Sequence, residues 1–355
     1  MRRIAAIRIA GALALVASCA SAATEPVPPA ARTYRMGFSP LPPRLTIPEV
    51  LRTVDSVAAH ADAALMVIDI PWVALLADTS AAFLVRRDQY PLALRFQQRG
   101  LPLVLTLEVA NGINRSAESD ALLKLGRSIT EPAVQRAYRE YVVAIDSITH
   151  PTKLALAMET NLIRVASAPA LYAAVVTMTN DAARQLRTAG SATTLMVSVQ
   201  VETAWGRPTG SWVGIQRDRT DFPFIQALGL SSYPYLGGFT APEQLPLDYY
   251  ARLVADAPLP MLVVEGGWSS GSVTGVTSSP ELQARYIRRQ AQLADAGGLV
   301  GVFQISFTDF DMASFNVPPG SILPLFAFLG LEDVNYRPKP ALAVWDSVRA
   351  VRLAP

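Results

Sequence analysis

The chain has 355 residues, 51% of them apolar and 17% charged, so it can bury a large core and is too apolar to be disordered. Its length suits one large barrel or two ordinary domains. Without the first eighteen residues, which carry Arg2, Arg3 and Arg8, 28 basic side chains face 29 acidic ones, so no cationic footprint for nucleic acid remains.

The opening "MRRIAAIRIAGALALVASCASAA" has a basic start, an apolar middle and a small-residue end, the pattern of a secretory signal rather than a membrane span. Within it "VASC", Val16 to Cys19, resembles the lipobox of bacterial lipoproteins, whose cysteine becomes the lipidated first residue. Residues 1–18 are therefore expected to be signal, with cleavage after Ala22 as the rival reading. Cys19 is the only cysteine, which favours lipidation and excludes disulfides and thiolate metal clusters from the mature chain. The expected location is the cell envelope, in the periplasm or at the outer membrane. The lipid on Cys19 would be the only membrane contact; without it the protein would be periplasmic or secreted. A monomer is expected. Residues 19–33 read as a Pro/Ala tether, and 34–355 as a single domain.

In that domain a short apolar run recurs: "YRMGFS" (34–39), "ALMVIDI" (64–70), "LPLVLTLEVA" (101–110) and "KLALAMETN" (153–161). It continues with "TLMVSVQVETAW" (194–205), "IQALGLSSYPY" (225–235), "PMLVVEGGW" (260–268) and "GLVGVFQISF" (298–307). Segments with helical spacing lie between them, among them "IPEVLRTVDSVAAHAD", "PALYAAVVTMTNDAARQLRTAG" and "SPELQARYIRRQAQLADAGG". Strand and helix alternating eight times, with strands apolar enough to be covered on both faces, predict a parallel (β/α)8 TIM barrel. A doubly wound open sheet is the alternative, but the first strand leads into "GFSPLPPR" rather than a Gly-rich phosphate turn.

Chemistry in such barrels gathers where strands end. The polar residues there are Glu108, Glu159, Asn161, Glu202, Tyr233, Glu265, Asp309 and Asp311. The two histidines lie elsewhere, His60 in the first helix and His150 before the fourth strand, as surface or capping residues. That excludes histidine-rich metal sites and Ser–His–Asp triads. No cofactor is expected, although a carboxylate-only magnesium site, as in a lyase or isomerase barrel, stays open. Paired carboxylates facing a pocket suit glycosidic bond cleavage, in which one acid protonates the leaving oxygen and the other attacks the sugar.

Glu159 on strand four and Glu265 on strand seven resemble the arrangement of the clan-A glycoside hydrolases. "VVEGGWSS" is similar to that clan's nucleophile segment, and "SSYPY" to its strand-six segment, whose tyrosine, here Tyr233, bonds the nucleophile. "GLEDVNYRPKPALAVW" is similar to its last loop and helix, and the likeness leans toward arabinogalactan endo-galactanases. The resemblance implies Glu159 as acid/base, Glu265 as nucleophile and a carbohydrate substrate. Two positions depart from it. Met158 stands where the clan usually has asparagine, leaving Asn161 to reach the sugar 2-hydroxyl, and strand eight offers Phe307 and Phe310 in place of a tryptophan platform. Glu202, and after it Glu108, are alternative acids or substrate ligands. Trp72, Trp205, Trp212 and Trp268 follow strand ends, where rings can stack on sugar faces; Trp72, Trp205 and Trp268 are carried as substrate contacts. The rival function is a carbohydrate-binding barrel without turnover.

Overall fold

The computed structural model describes residues 31–354 apart from 208, 209 and 316. The lipobox and Cys19 lie outside the described residues. Eight parallel strands close into a barrel in sequence order: β1 Arg35–Phe38, β2 Ala63–Asp69, β3 Leu103–Glu108, β4 Lys153–Ala155, β5 Thr194–Gln200, β6 Ala227–Ser232, β7 Met261–Gly266 and β8 Gly301–Gln304. Seven lie within the apolar runs, and β2 starts one residue before its own. Pairing of β1 with β8, from Arg35 opposite Gly301 to Phe38 opposite Gln304, closes the ring.

Alternate residues point in and out. The inward set, including Leu65, Val104, Met196, Leu262 and Phe303, forms a compact apolar cluster inside the ring. The outward set, such as Ile68, Leu105 and Val263, joins the larger core beneath the helices. Packing the interior with side chains makes the barrel a solid support, leaving only its C-terminal mouth open.

The helices start and stop where local chemistry dictates. Thr46 caps Ile47–His60 by accepting from the Glu49 amide, Ser279 caps Pro280–Gly297 through the Leu282 amide, and proline opens four of the long helices. His150 ends Pro132–Thr149 in the left-handed conformation, and Gly298 ends Pro280–Gly297 the same way. The expected alternation fails in one connection. Between β6 and β7 the chain makes only 3-10 turns, Pro242–Gln244 and Ala251–Val254, because Pro234, Pro242, Pro246, Pro258 and Pro260 deny a long helix its backbone donors.

The tether was expected to run to residue 33, yet Arg32 is already in the fold. It is buried, pairs with Asp62 at 2.7 Å, and exchanges backbone hydrogen bonds with Arg352 and Ala354. Among the described residues no helix is long and apolar enough to cross a membrane.

Candidate active site

Four inward positions at the barrel mouth are acidic: Asp69 on β2, Glu108 on β3, Glu159 just beyond β4 and Glu265 on β7. For the first three, period-2 alternation already predicts the inward face. Glu265 reaches it by a different route. Leu230 of β6 pairs with Val263 and Ser231 with Glu265, so Val264 is an extra residue, a bulge. Without it Glu265 would share the outward face of Val263 and meet the helix layer; the added residue reverses the parity. The glycines after it answer a packing need. A Cβ on Gly266 would lie 2.5 Å from the Ser232 carbonyl oxygen, and one on Gly267 3.2 Å from the Leu329 side chain.

Arg115, from the loop after β3, reaches back into this acidic ring. Its Nη1 donates to Glu108 and its Nε to Glu159 Oε2 at 2.7 Å, with only 4% of its side chain exposed. Ser231 Oγ donates to Glu159 Oε1 at 2.7 Å, so both oxygens of Glu159 are engaged. Glu159 itself has φ 47° and ψ 46°, left-handed backbone that a non-glycine residue holds only where its surroundings impose it. Its amide is held by Ser198 Oγ at 2.8 Å.

Glu265 is bound differently. Tyr233 Oη donates to its Oε1 at 2.9 Å, while Oε2 has no hydrogen-bond partner among the described residues. Burial, then the neighbouring Glu159 charge, pushes its carboxyl up to about 8, although Arg115 pulls the other way. Burial also raises Asp69 and Glu108. One guanidinium among four carboxyls cannot neutralise them all, and near neutrality Glu265 keeps its proton.

Asp69, Glu108, Arg115, Tyr233 and Glu265 line a cavity of about 740 Å³ at the mouth. Among the described residues no cluster of histidine, cysteine or carboxylate side chains has the geometry of a metal site.

No protein-family model matches the sequence, and a search of curated proteins finds no match. Solved structures do match. An exo-β-1,4-mannosidase from an Opitutaceae bacterium superposes over 90% of this chain and 60% of its own, with a TM-score of 0.66 and 18% identity. GH5_18 from Streptomyces cattleya, solved with GlcNAc, gives 0.60 at 17% identity over 92% and 83% of the two chains. Xylanase 10B from Thermotoga maritima gives 0.54 at 12% identity over 89% and 94%. The fold is that of the glycoside hydrolase TIM barrels. The chain spans about three fifths of the mannosidase structure it matches.

In this TIM barrel the residues singled out by sequence are dispersed. Glu159, Tyr233 and Glu265 converge at the mouth. Asn161 is fully buried and occupied by the Gln200 backbone, donating to its carbonyl and accepting from its amide, so it does not replace the missing asparagine; Met158 lines the cavity instead. Glu202 sits in the short helix Val201–Ala204 beyond β5 and opens on a separate cavity of about 440 Å³, with Tyr233 between the two. It accepts from Tyr249 at 2.9 Å and Ser232 at 3.3 Å, and burial lifts its carboxyl to about 7.

None of the three tryptophans lines the larger cavity. Trp72 is buried 6.4 Å from the Tyr138 ring, Trp268 packs on Tyr286 and donates to Ser278, and Trp205 stacks on Tyr249 at 5.3 Å. Phe307 faces outward, edge-on to Phe38 beneath the helices, whereas Phe310 does line the cavity. The physical reason is common to all four: side chains this large at strand ends gain more from closing the apolar gap around the TIM barrel than from exposure at its mouth. Asp309 serves the fold, tied to Lys339 at 2.5 Å and to the Gly330 amide; Asp311 pairs with Arg44 at 2.8 Å. Arg115 and Ser231 were missed by sequence reasoning. Arg115 carried one available signal, a lone cation in the loop that follows an acid-ended strand.

Proposed function

We propose that the protein is a retaining glycoside hydrolase acting by double displacement, with Glu265 as nucleophile and Glu159 as acid/base. The observation that carries this reading is Glu265 itself. It stands on the cavity wall, steered by Tyr233, with one carboxyl oxygen unengaged and Glu159 close enough to shift its proton affinity. In the first step Glu265 forms a bond to the anomeric carbon while Glu159 protonates the departing glycosidic oxygen. In the second, Glu159 takes a proton from water, whose oxygen displaces Glu265 and retains the configuration.

Reaction needs a proton available to Glu159 and a charged Glu265, whereas in the resting site Arg115 occupies Glu159 and Glu265 has the raised proton affinity. Substrate entry must therefore draw Arg115 off Glu159 Oε2 and let the proton cross. The position of the proton within the pair does not depend on pH, but its loss does. We expect kcat/KM to fall as pH rises through about 8, where Glu265 gives up the last proton. Tyr233→Phe removes a bond that favours the charged carboxylate, so it should move this alkaline limb upward and lower kcat. A limb unmoved by the substitution would separate Tyr233 from the chemistry.

Screening aryl glycosides and polysaccharides, galactans among them, for reducing-sugar release tests the activity. NMR of the first-formed anomer tests retention. Binding without cleavage across the panel would replace hydrolysis by carbohydrate capture.

We propose in addition that the chain is exported and anchored at the envelope through a lipid on Cys19. The wild-type protein should partition into the detergent phase and Cys19→Ser into the aqueous phase; an aqueous wild type would favour cleavage after Ala22.

A further inference from the structure

Beyond the acidic ring the lining of the cavity is mostly apolar. Around the acidic ring, the loops after β1, β2, β3 and β8 contribute Leu41, Leu45, Val73, Ile113, Phe315 and Phe326, with Asn111 and Lys124 as polar members of the same lining. Leu45 is 68% exposed, Val73 55% and Ile113 41%, so this apolar wall continues outward as a rim. Its aromatic members are phenylalanines. Phe310 lies edge-on to Phe315 at 5.7 Å, and Phe326 edge-on to Tyr233 at 5.0 Å, which leads the wall directly to the hydroxyl that holds Glu265. Sugar rings need hydrogen-bond partners around their edges, and these leucine, valine, isoleucine and phenylalanine side chains offer none; a hydrocarbon surface needs none. A solvent-facing apolar surface continuous with a polar floor marks a binding site for something apolar.

We propose that the substrate is an amphiphilic glycoside, with its sugar among Asp69, Glu108, Arg115 and Glu265 and an alkyl or aryl aglycone along the Leu45–Val73–Ile113–Phe315 wall. This deepens the hydrolase reading and rests on it for the cleavage step alone. The scissile oxygen joins the two halves at the boundary between carboxylates and hydrocarbon wall. Glu265 then faces the anomeric carbon, and the leaving group departs as an alcohol or phenol.

The test uses calorimetric binding to the full-length protein, with methyl and octyl β-glycosides of glucose, galactose, mannose and xylose below their micellar concentrations. Each methylene laid on the wall should strengthen binding roughly two- to fourfold. For at least one sugar the octyl glycoside, with seven more methylenes, should therefore bind at least about a hundredfold more tightly than the methyl. Leu45→Asp and Val73→Asp, at exposed positions that leave the fold intact by circular dichroism, should erase most of that gap. Tail-independent affinity, or tighter binding of an unsubstituted oligosaccharide, would overturn the proposal. So would binding to phosphatidylcholine vesicles that both substitutions abolish, which would assign the rim to a bilayer. The two readings fail separately. Tight octyl binding without cleavage removes the hydrolase and keeps the amphiphile site, while oligosaccharide cleavage indifferent to tails does the reverse.

Discussion

Glu265→Gln should abolish reducing-sugar release, a loss of at least about a thousandfold, while ligand affinity stays near the wild-type value. Glutamine keeps the shape and the Tyr233 contact at Oε1 but replaces the carboxylate oxygen that the proposed mechanism uses to attack the anomeric carbon. Its effect on stability has a definite sign. Glu265 is held at about 8, above its ordinary value of 4.5, so the folded state binds the extra proton between those values. Stability contributed by that proton is complete below 4.5 and disappears as pH rises through about 8. The neutral variant lacks this dependence, and its melting temperature should gain on the wild type as pH increases across that window. Glu265→Ala opens a gap for a small anion. Azide should then restore turnover of substrates with good leaving groups and give a glycosyl azide of inverted configuration. Full activity of the glutamine variant would remove Glu265 from the reaction.

The second large effect belongs to Arg115. Arg115→Met deletes the guanidinium that bonds both Glu108 and Glu159 and leaves two buried carboxylates without a cation. Breaking a buried pair in this way costs about 3–5 kcal/mol, which lowers the melting temperature by about 10 °C. The loss should be greatest near pH 8 and shrink in acid, because protonating the stranded carboxylates removes the charge they cannot pair. Arg115→Lys keeps the charge but not the planar fork that spans two carboxylates, so it should restore only part of the stability. Thermal melts near pH 8 and in acid decide this, and an unchanged melting temperature would mean that the acidic ring does not depend on Arg115. The same cation lowers the proton affinity of Glu265, so if Arg115→Met folds, its alkaline limb of activity should move upward, whereas Arg115→Lys, which keeps the charge, should leave the limb near the wild-type position.

The two substitutions probe opposite halves of one design. Glu265 keeps an unengaged oxygen toward the cavity, whereas Glu159 is fully occupied and held in left-handed backbone. On the proposed mechanism Arg115 must therefore move before Glu159 can donate its proton. Its loop is closed at the base by the Asn111 amide on the Ala117 carbonyl at 3.2 Å, an Ala110–Glu118 bridge and the Asn111 side chain on Asp120 at 2.8 Å, so the side chain of Arg115 rather than the loop as a whole is what has to move.

The barrel was legible in the sequence because each strand declares itself locally: an apolar run long enough to be covered on both faces, bounded by capped helices and glycine stops. Strand ends could be counted, and Glu159, Tyr233 and Glu265 stood at three of them. Which ends face the mouth is a matter of parity, and parity holds only while the ladder is unbroken. In "MLVVEGG" every residue before the glutamate is apolar, so the chain does not reveal that Val264 is the additional one turning Glu265 inward. The tryptophans were misleading for a related reason: a ring at a strand end can close the outer gap or line the cavity, and only the neighbours available on each side choose between them. Arg115 depended on the path of a loop, the Phe310–Phe315–Phe326 wall on the long excursion after β8. Composition and period determined the scaffold, because hydrophobic burial is set residue by residue along the chain. The ionic ring and the shape of the cavity were decided by tertiary structure, because charge pairing and enclosure depend on distances between segments far apart in sequence.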